Sequence, residues 1–255
     1  MLIILDNTLK KLSLAKDFVC IMRIHLLFVL LVAVLAVVSA CSTSSVEPAN
    51  NIVGYGYFPL QKGRYAIYDV DSTSWRFVGG NSVAKYQLKE LVSDSFPDIF
   101  GGITFKIERY RRPDTNANWR LDSVWTATRT ATQAVKTENN VSFIKILFPV
   151  KNGSEWDGNR LSSEHENSPE IYTMSGVGKP LSLGAINFSN TLKVTHANDS
   201  SCLGKNQSIE YYAEGIGLIF KQKIKLKYKE NDFCLTDSIE YGGIYNQTLI
   251  KYGKE

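Results

Sequence analysis

Histidine and cysteine are scarce here: three and four residues in a chain of 255. Four cysteines are too few for the disulfide lattice that replaces a core in small secreted domains. After residue 40 the histidines are His165 and His196, in neither metal-ligand spacing nor a triad context. There is no Gly-x-Ser-x-Gly elbow, phosphate-cradling loop or metalloprotease helix motif, so no cofactor and no metal is expected. Charge of one sign is missing too. With 29 Lys+Arg against 25 Asp+Glu, the formal charge is +4. That excludes a nucleic-acid partner held by bulk charge. What is present is apolar: 44% hydrophobic and 11% aromatic residues exclude a disordered chain.

The longest apolar run is Leu26 to Ala40, LLFVLLVAVLAVVSA, preceded by Arg23 and His25. It is short for a membrane span, which needs about 20 residues. A polar stretch, Ser42 to Ser45, follows it rather than a basic flank. Its end, Val38-Ser39-Ala40-Cys41, resembles the lipobox of bacterial lipoproteins. That resemblance implies cleavage between Ala40 and Cys41, a diacylglyceryl thioether on Cys41, and an acyl chain such as palmitate on the new amine. Several chains anchor far more firmly than one, since each buried methylene adds about 0.8 kcal/mol. Residues 1–21 carry Asp6 and Asp17, which suit no leader, and are read as a start-site misassignment with Met22 as the true start. The expected organisation is a signal peptide over 22–40, a lipidated tether over 41–54 and one β-domain over 55–255. The chain from Cys41 onward is close to neutral, at about +2, so no long-range steering is implied.

Cys202 and Cys234 remain as a pair. In an exported, oxidising compartment an even pair reads as one disulfide, closing a loop of about 33 residues and contributing about 3 to 4 kcal/mol. Two free thiols or a two-ligand metal site are the alternatives.

The body alternates with period two. Arg64 to Val70, Ile103 to Tyr110, Ser208 to Tyr212 and Ile239 to Tyr245 all read as strands. Val141 to Phe148 is apolar on both faces except for Ser142 and Lys145, and so predicts a central strand. Lys85 to Phe96 fits a strand or a helix face. In Ile216 to Lys229, one parity carries Phe220, Ile224, Leu226 and Tyr228; the other carries Lys221, Lys223, Lys225, Lys227 and Lys229. A strand lines those lysines up on one face. About ten antiparallel strands and little helix are expected, as an all-β, strongly curved sheet: half-barrel, barrel or sandwich.

Several segments resemble uncharacterised lipoproteins of Bacteroidetes-type bacteria: Tyr57-Phe58-Pro59-Leu60 leading into Gly63 to Asp71, Tyr86 to Glu90, Ile107 to Tyr110, Trp156 to Asn159, and Tyr212 to Ile219. They are spread over most of the chain beyond Cys41. The turn Gly215-Ile216-Gly217-Leu218 is also similar to that of periplasmic half-barrel carriers of lipids and lipoproteins.

Candidate contacts are few. Trp156, at the polar turn Asp157-Gly158-Asn159, is expected to be partly exposed and, with Asp157 and Asn159, to touch a ligand. The row Lys221, Lys223, Lys225, Lys227 and Lys229 would meet an anionic surface, each lysine contributing about 1 kcal/mol, or else form a solvated face that blocks edge aggregation. Glu90, Asp94, Glu108 and Glu170 are available carboxylates that no motif singles out. The leading expectation is a non-catalytic envelope domain, held to the membrane through Cys41 and placed at the outer membrane by its leader class alone, binding a protein partner or a small apolar or glycan ligand. The alternatives are a carrier of a lipid or other apolar molecule, which requires a large apolar concavity, and a hydrolase of polysaccharide or peptide, which requires two close carboxylates or a perturbed histidine.

Overall fold

The computed structural model describes residues 53–99, 101–162, 169–229 and 238–255. The leader, Cys41 and most of the tether lie outside the described residues, as do His165 and Cys234.

The described chain is a single antiparallel sheet of twelve strands: β1 (Arg64–Arg76), β2 (Gly80–Pro97), β3 (Ile103–Arg112), β4 (Arg120–Arg129), β5 (Gln133–Glu138), β6 (Val141–Leu147), β7 (Glu155–Asp157), β8 (Ile171–Leu183), β9 (Ile186–Ser201), β10 (Gly204–Ala213), β11 (Gly217–Tyr228) and β12 (Ile239–Lys254). The order across the sheet is β6-β5-β4-β3-β2-β1-β12-β11-β10-β9-β8-β7. Every neighbour but one is also a neighbour in sequence; the exception pairs β1 with β12, Arg64 opposite Lys254. The all-β, strongly curved sheet is as expected, with twelve strands instead of about ten. The stretches named from sequence fall in β1, β2, β3, β6, β10, β11 and β12; β4, β5, β7, β8 and β9 are not individually marked. Lys85 to Phe96 is strand throughout: it pairs with β1 as far as Leu91 and with β3 from Gln87 onward, so its middle is laddered on both sides.

Local chemistry sets the turns. Asn139 and Asn140 both take positive φ, 50° and 67°, between β5 and β6. That is the two-residue hairpin whose twist matches the flanking strands, and asparagine tolerates it.

The sheet is a nearly closed barrel, and its seam lies between the two end strands. Ile144 in β6 donates its N–H to the Gly158 carbonyl just beyond β7, at 2.8 Å. The Trp156 indole N–H donates back to the Ile144 carbonyl at 2.8 Å. An end strand carries unpaired backbone groups, and these crossings cover part of them. This corrects the expectation for Val141 to Phe148. The strand ends the ladder rather than sitting in its centre, and its apolar character reflects the seam packed over it. Gly158 is required there, since a Cβ would sit 2.1 Å from the Tyr172 ring.

One segment before β1 packs against the barrel. A 3-10 turn, Tyr55–Tyr57, follows Gly54, whose φ is 87°. Val150 donates to the Val53 carbonyl at 3.0 Å, and Gly215 to the Gly56 carbonyl at 2.8 Å. Arg129 donates to the carbonyls of Tyr55 and Phe58 at 3.2 Å each. Val53, Tyr57 and Phe58 thereby join a buried cluster with Ile107, Trp125, Ile146, Trp156, Tyr172, Met174, Leu192 and Val194. A second cluster groups Tyr68, Val70, Leu88, Phe188, Ala213, Ile219 and Leu249.

Candidate functional site

Curling brings side chains from non-adjacent strands together around a cavity of about 340 Å³. Phe58, Leu60, Val92, Ile107, Ile216 and Leu218 give it apolar walls. Tyrosines, Trp125 and Gln247 add polar edges, and most of the charged lining falls into two groups.

In the first group, Glu90 on β2 meets Arg109 on β3 at 3.1 Å and Lys136 on β5 at 2.8 Å. Both cations also lie over the Trp125 ring, the Arg109 guanidinium 3.6 Å from its centroid and Lys136 Nζ 4.9 Å. A cation over an indole face is attracted by the ring quadrupole, which holds both side chains in place. Burial raises the Glu90 carboxyl, but Lys136 and then Arg109 outweigh it and leave its pKa below the ordinary value.

The second group crosses the barrel. Lys145 on β6 reaches Glu210 on β10 at 3.0 Å and Glu138 on β5 at 3.1 Å. Lys221 on β11 reaches the same carboxylates at 3.1 and 3.6 Å. Tyr212 donates its hydroxyl to Glu210. His196 Nε2 stands 3.3 Å from Glu210 Oε2, with its ring stacked on Tyr172 at 3.9 Å. Glu210 is 0% exposed. An isolated buried carboxylate would take up a proton. Here burial raises Glu138, yet Lys145, then Lys221 and Lys136, bring it down to about 2. Glu210 is likewise held well below its ordinary value by Lys145 and then Lys221. Burial pushes His196 down despite Glu210 beside it, so its ring is neutral near pH 7. Burial also raises Tyr68 and Tyr212, which stay protonated.

Three buried polar atoms have no hydrogen-bond partner among the described residues, Ser93 Oγ, His196 Nε2 and Gln247 Nε2, and of their residues only Gln247 lines the cavity. Gln247 on β12 is 3% exposed and lines the cavity. Its Oε1 accepts the Tyr245 hydroxyl at 2.8 Å. Its Nε2 finds no partner among the described residues.

The residues singled out from sequence are distributed differently. Trp156 is 8% exposed, not partly exposed: it is the stitch across the seam, and its ring packs edge-on to Tyr172 at 5.9 Å. Asp157 and Asn159 hold the following loop, accepting the Glu170 N–H at 3.1 and 3.2 Å. The lysine row keeps its parity, but it lies on the inner side of the sheet. Lys221 faces Glu210 in the ladder and belongs to the ion cluster. Lys223, Lys225 and Lys229 are exposed and Lys227 is half-buried. The solvated-face expectation therefore fails at Lys221, because the interior of this barrel is itself charged. Cys202 lies in the turn between β9 and β10. Of the carboxylates considered from sequence, Glu90 reaches the cavity, while Asp94 pairs with Lys62 at the surface. Glu138, Lys136, Lys145, Glu210, Arg109 and Gln247 carried no motif. The available signal was a lysine or glutamate set inside an apolar strand, as in VSFIKILF and SIEYY.

A hydrolase working with two carboxylates needs one of them protonated as the acid. Here Glu138 and Glu210 are both held anionic, and Glu210 has no exposure. The carboxylates fix charge, and the perturbed histidine, His196, is buried beside Glu210 and outside the cavity lining.

No protein-family model matches the chain, and no curated protein matches it in sequence. Two solved structures have a similar fold over 77% of this chain and 98% of their own. One is described as an exported protein with a YmcC-like fold from Bacteroides fragilis, at 12% identity and a TM-score of 0.38. The other is described as a lipoprotein from Parabacteroides distasonis, at 10% identity and a TM-score of 0.31.

Proposed function

We propose that the protein is a lipid-anchored cell-envelope domain that binds a small ligand inside its barrel and performs no covalent chemistry on it. The cavity carries this reading: its apolar walls and fixed charges suit recognition of a ligand with an apolar part and a polar part. The leader and Cys41 supply the anchor, with acyl chains on Cys41 holding the domain at the outer membrane. A Cys202–Cys234 disulfide fits the same compartment.

The test is native mass spectrometry of the protein purified from its own envelope, with solvent extraction of what it carries. Expected are a first residue of Cys41 with acyl mass on it, and one small molecule per chain released on denaturation. A bare protein mass across independent preparations overturns the ligand chamber. An N-terminus other than acylated Cys41 overturns the anchor.

A further inference from the structure

We infer that the cavity takes an amphiphile with a single anionic oxygen head, a carboxylate on one short apolar chain or ring, its head against Gln247 and Lys221. This rests on the ligand-chamber reading above. The first observation is the Gln247 amide, 3% exposed and with Nε2 unpartnered among the described residues. Leaving a buried amide N–H unpaired is costly, and folded proteins rarely do so. An acceptor atom from a ligand satisfies it.

The second observation is the charge around that amide. Lys221 lies directly opposite Gln247 in the β11–β12 ladder, so both side chains project from one face. The cavity lining holds five cationic side chains, Arg64, Arg109, Lys136, Lys145 and Lys221, against three carboxylates. A carboxylate oxygen beside Gln247 would accept its N–H and halve the excess of two positive charges. A neutral alcohol would do only the first, and a cation would meet an excess of its own sign. The apolar walls take the tail. A volume of about 340 Å³ is at the small end of ligand sites, which fits one short chain and excludes a two-chain lipid. The large apolar concavity that a diacyl-lipid carrier requires is not what lines this barrel.

The test uses the chain from Cys41 to Glu255 with Cys41→Ser, which keeps added acyl chains out. The unit Pro48–Glu255 is compact and contains both buried clusters, so it folds without the leader. Decanoate, decanol, decyltrimethylammonium and inorganic phosphate are titrated by calorimetry and thermal melting. Decanoate is expected to bind one per chain, raise Tm, and bind at least tenfold more tightly than decanol. The cationic amphiphile and phosphate are expected to bind more weakly still. Gln247→Met should weaken decanoate by about tenfold or more, because it removes a hydrogen bond to a charged group. The unliganded Tm should fall by no more than the single bond to the Tyr245 hydroxyl accounts for, since the lost N–H had no partner. A purely structural role for Gln247 predicts a lower Tm with decanoate affinity unchanged.

Equal affinity for decanol, equal affinity for phosphate, or no decanoate binding each overturns the proposal, and the wild-type titrations decide these without any variant. A folded Gln247→Met protein that binds decanoate within twofold of wild type also overturns it. If the envelope-purified protein carries a different molecule while decanoate fails, the head-group assignment falls and the ligand chamber stands. If the envelope-purified protein is bare and all four probes fail, both fall.

Discussion

Lys145→Met puts the interior ion cluster to a quantitative test. Lys145 Nζ is 3.0 Å from Glu210 and 3.1 Å from Glu138, and its side chain is 5% exposed. At an effective dielectric of about 20, each contact is worth about 5 kcal/mol before desolvation. Desolvating the ammonium offsets most of that gain. Methionine replaces the stem with little change of shape, so packing contributes little to the loss. What remains is Glu138 and Glu210 sharing Lys221, with the more distant Lys136 acting on Glu138. Removing one partner of a buried ion pair costs about 3 to 5 kcal/mol. For a domain of this size that lowers Tm by about 6 to 20 °C. Urea melts followed by far-UV circular dichroism and tryptophan fluorescence read the loss directly. Its pH dependence gives the signature. In the wild type both carboxyls sit below their ordinary value of 4.5, Glu138 at about 2. Their contribution is fully present above about pH 4.5 and is lost as the pH falls toward 2. In the variant the two carboxyls titrate higher, so protonation relieves them earlier. The gap between the proteins is therefore widest near pH 7 and narrows below 4.5. A loss under about 1 kcal/mol, or a gap constant from pH 7 to 3, refutes the electrostatic account. Adding Glu210→Gln to Lys145→Met should recover part of the loss.

Gly158→Ala places a methyl group against the Tyr172 ring and should cost about 1 to 3 kcal/mol, read from the same melts. Trp156→Phe keeps the ring but removes the hydrogen bond to the Ile144 carbonyl. It should cost about 1 to 2 kcal/mol and speed amide exchange in β6 while β1 and β12 stay protected; uniform exchange would show that the seam is no separate unit. Alkylation without reductant should leave Cys202 and Cys234 unmodified, and reduction should expose both and lower stability by about 3 kcal/mol; two thiols reactive before reduction would dismiss the disulfide.

The wall of the barrel was legible and its contents were not. Period-two patterning marks β1, β3, β11 and β12, because each has an apolar set on one parity. The same reasoning places Lys221 in water, since a charged parity reads as a solvent face. In this barrel the interior is charged at mid-height, so polarity no longer separates inside from outside. Trp156 misleads for a related reason. Its polar neighbours Asp157 and Asn159 accept the backbone N–H of Glu170, and closure of a sheet between strands at opposite ends of its order leaves no local mark. Lys145 gave a partial signal: a lysine within an apolar strand must find a counter-charge, though nothing in the sequence names Glu138 and Glu210 as its partners.

The pairing of β1 with β12 also bears on mechanics. The chain arriving from the N-terminal side enters the sheet at β1, an interior strand laddered on one side by β2 and on the other by β12. A pull transmitted along that chain cannot peel β1 away one bond at a time, as it could an edge strand. It must first release the carbonyls of Val53, Tyr55, Gly56 and Phe58 from Val150, Arg129 and Gly215, and then shear two full ladders together. The weak join of the barrel, between β6 and β7, lies far along the chain from that load. Remote along the chain, that join is near in space: the Val53–Val150 hydrogen bond carries the load to the connection between β6 and β7, so the seam is strained until that bond breaks.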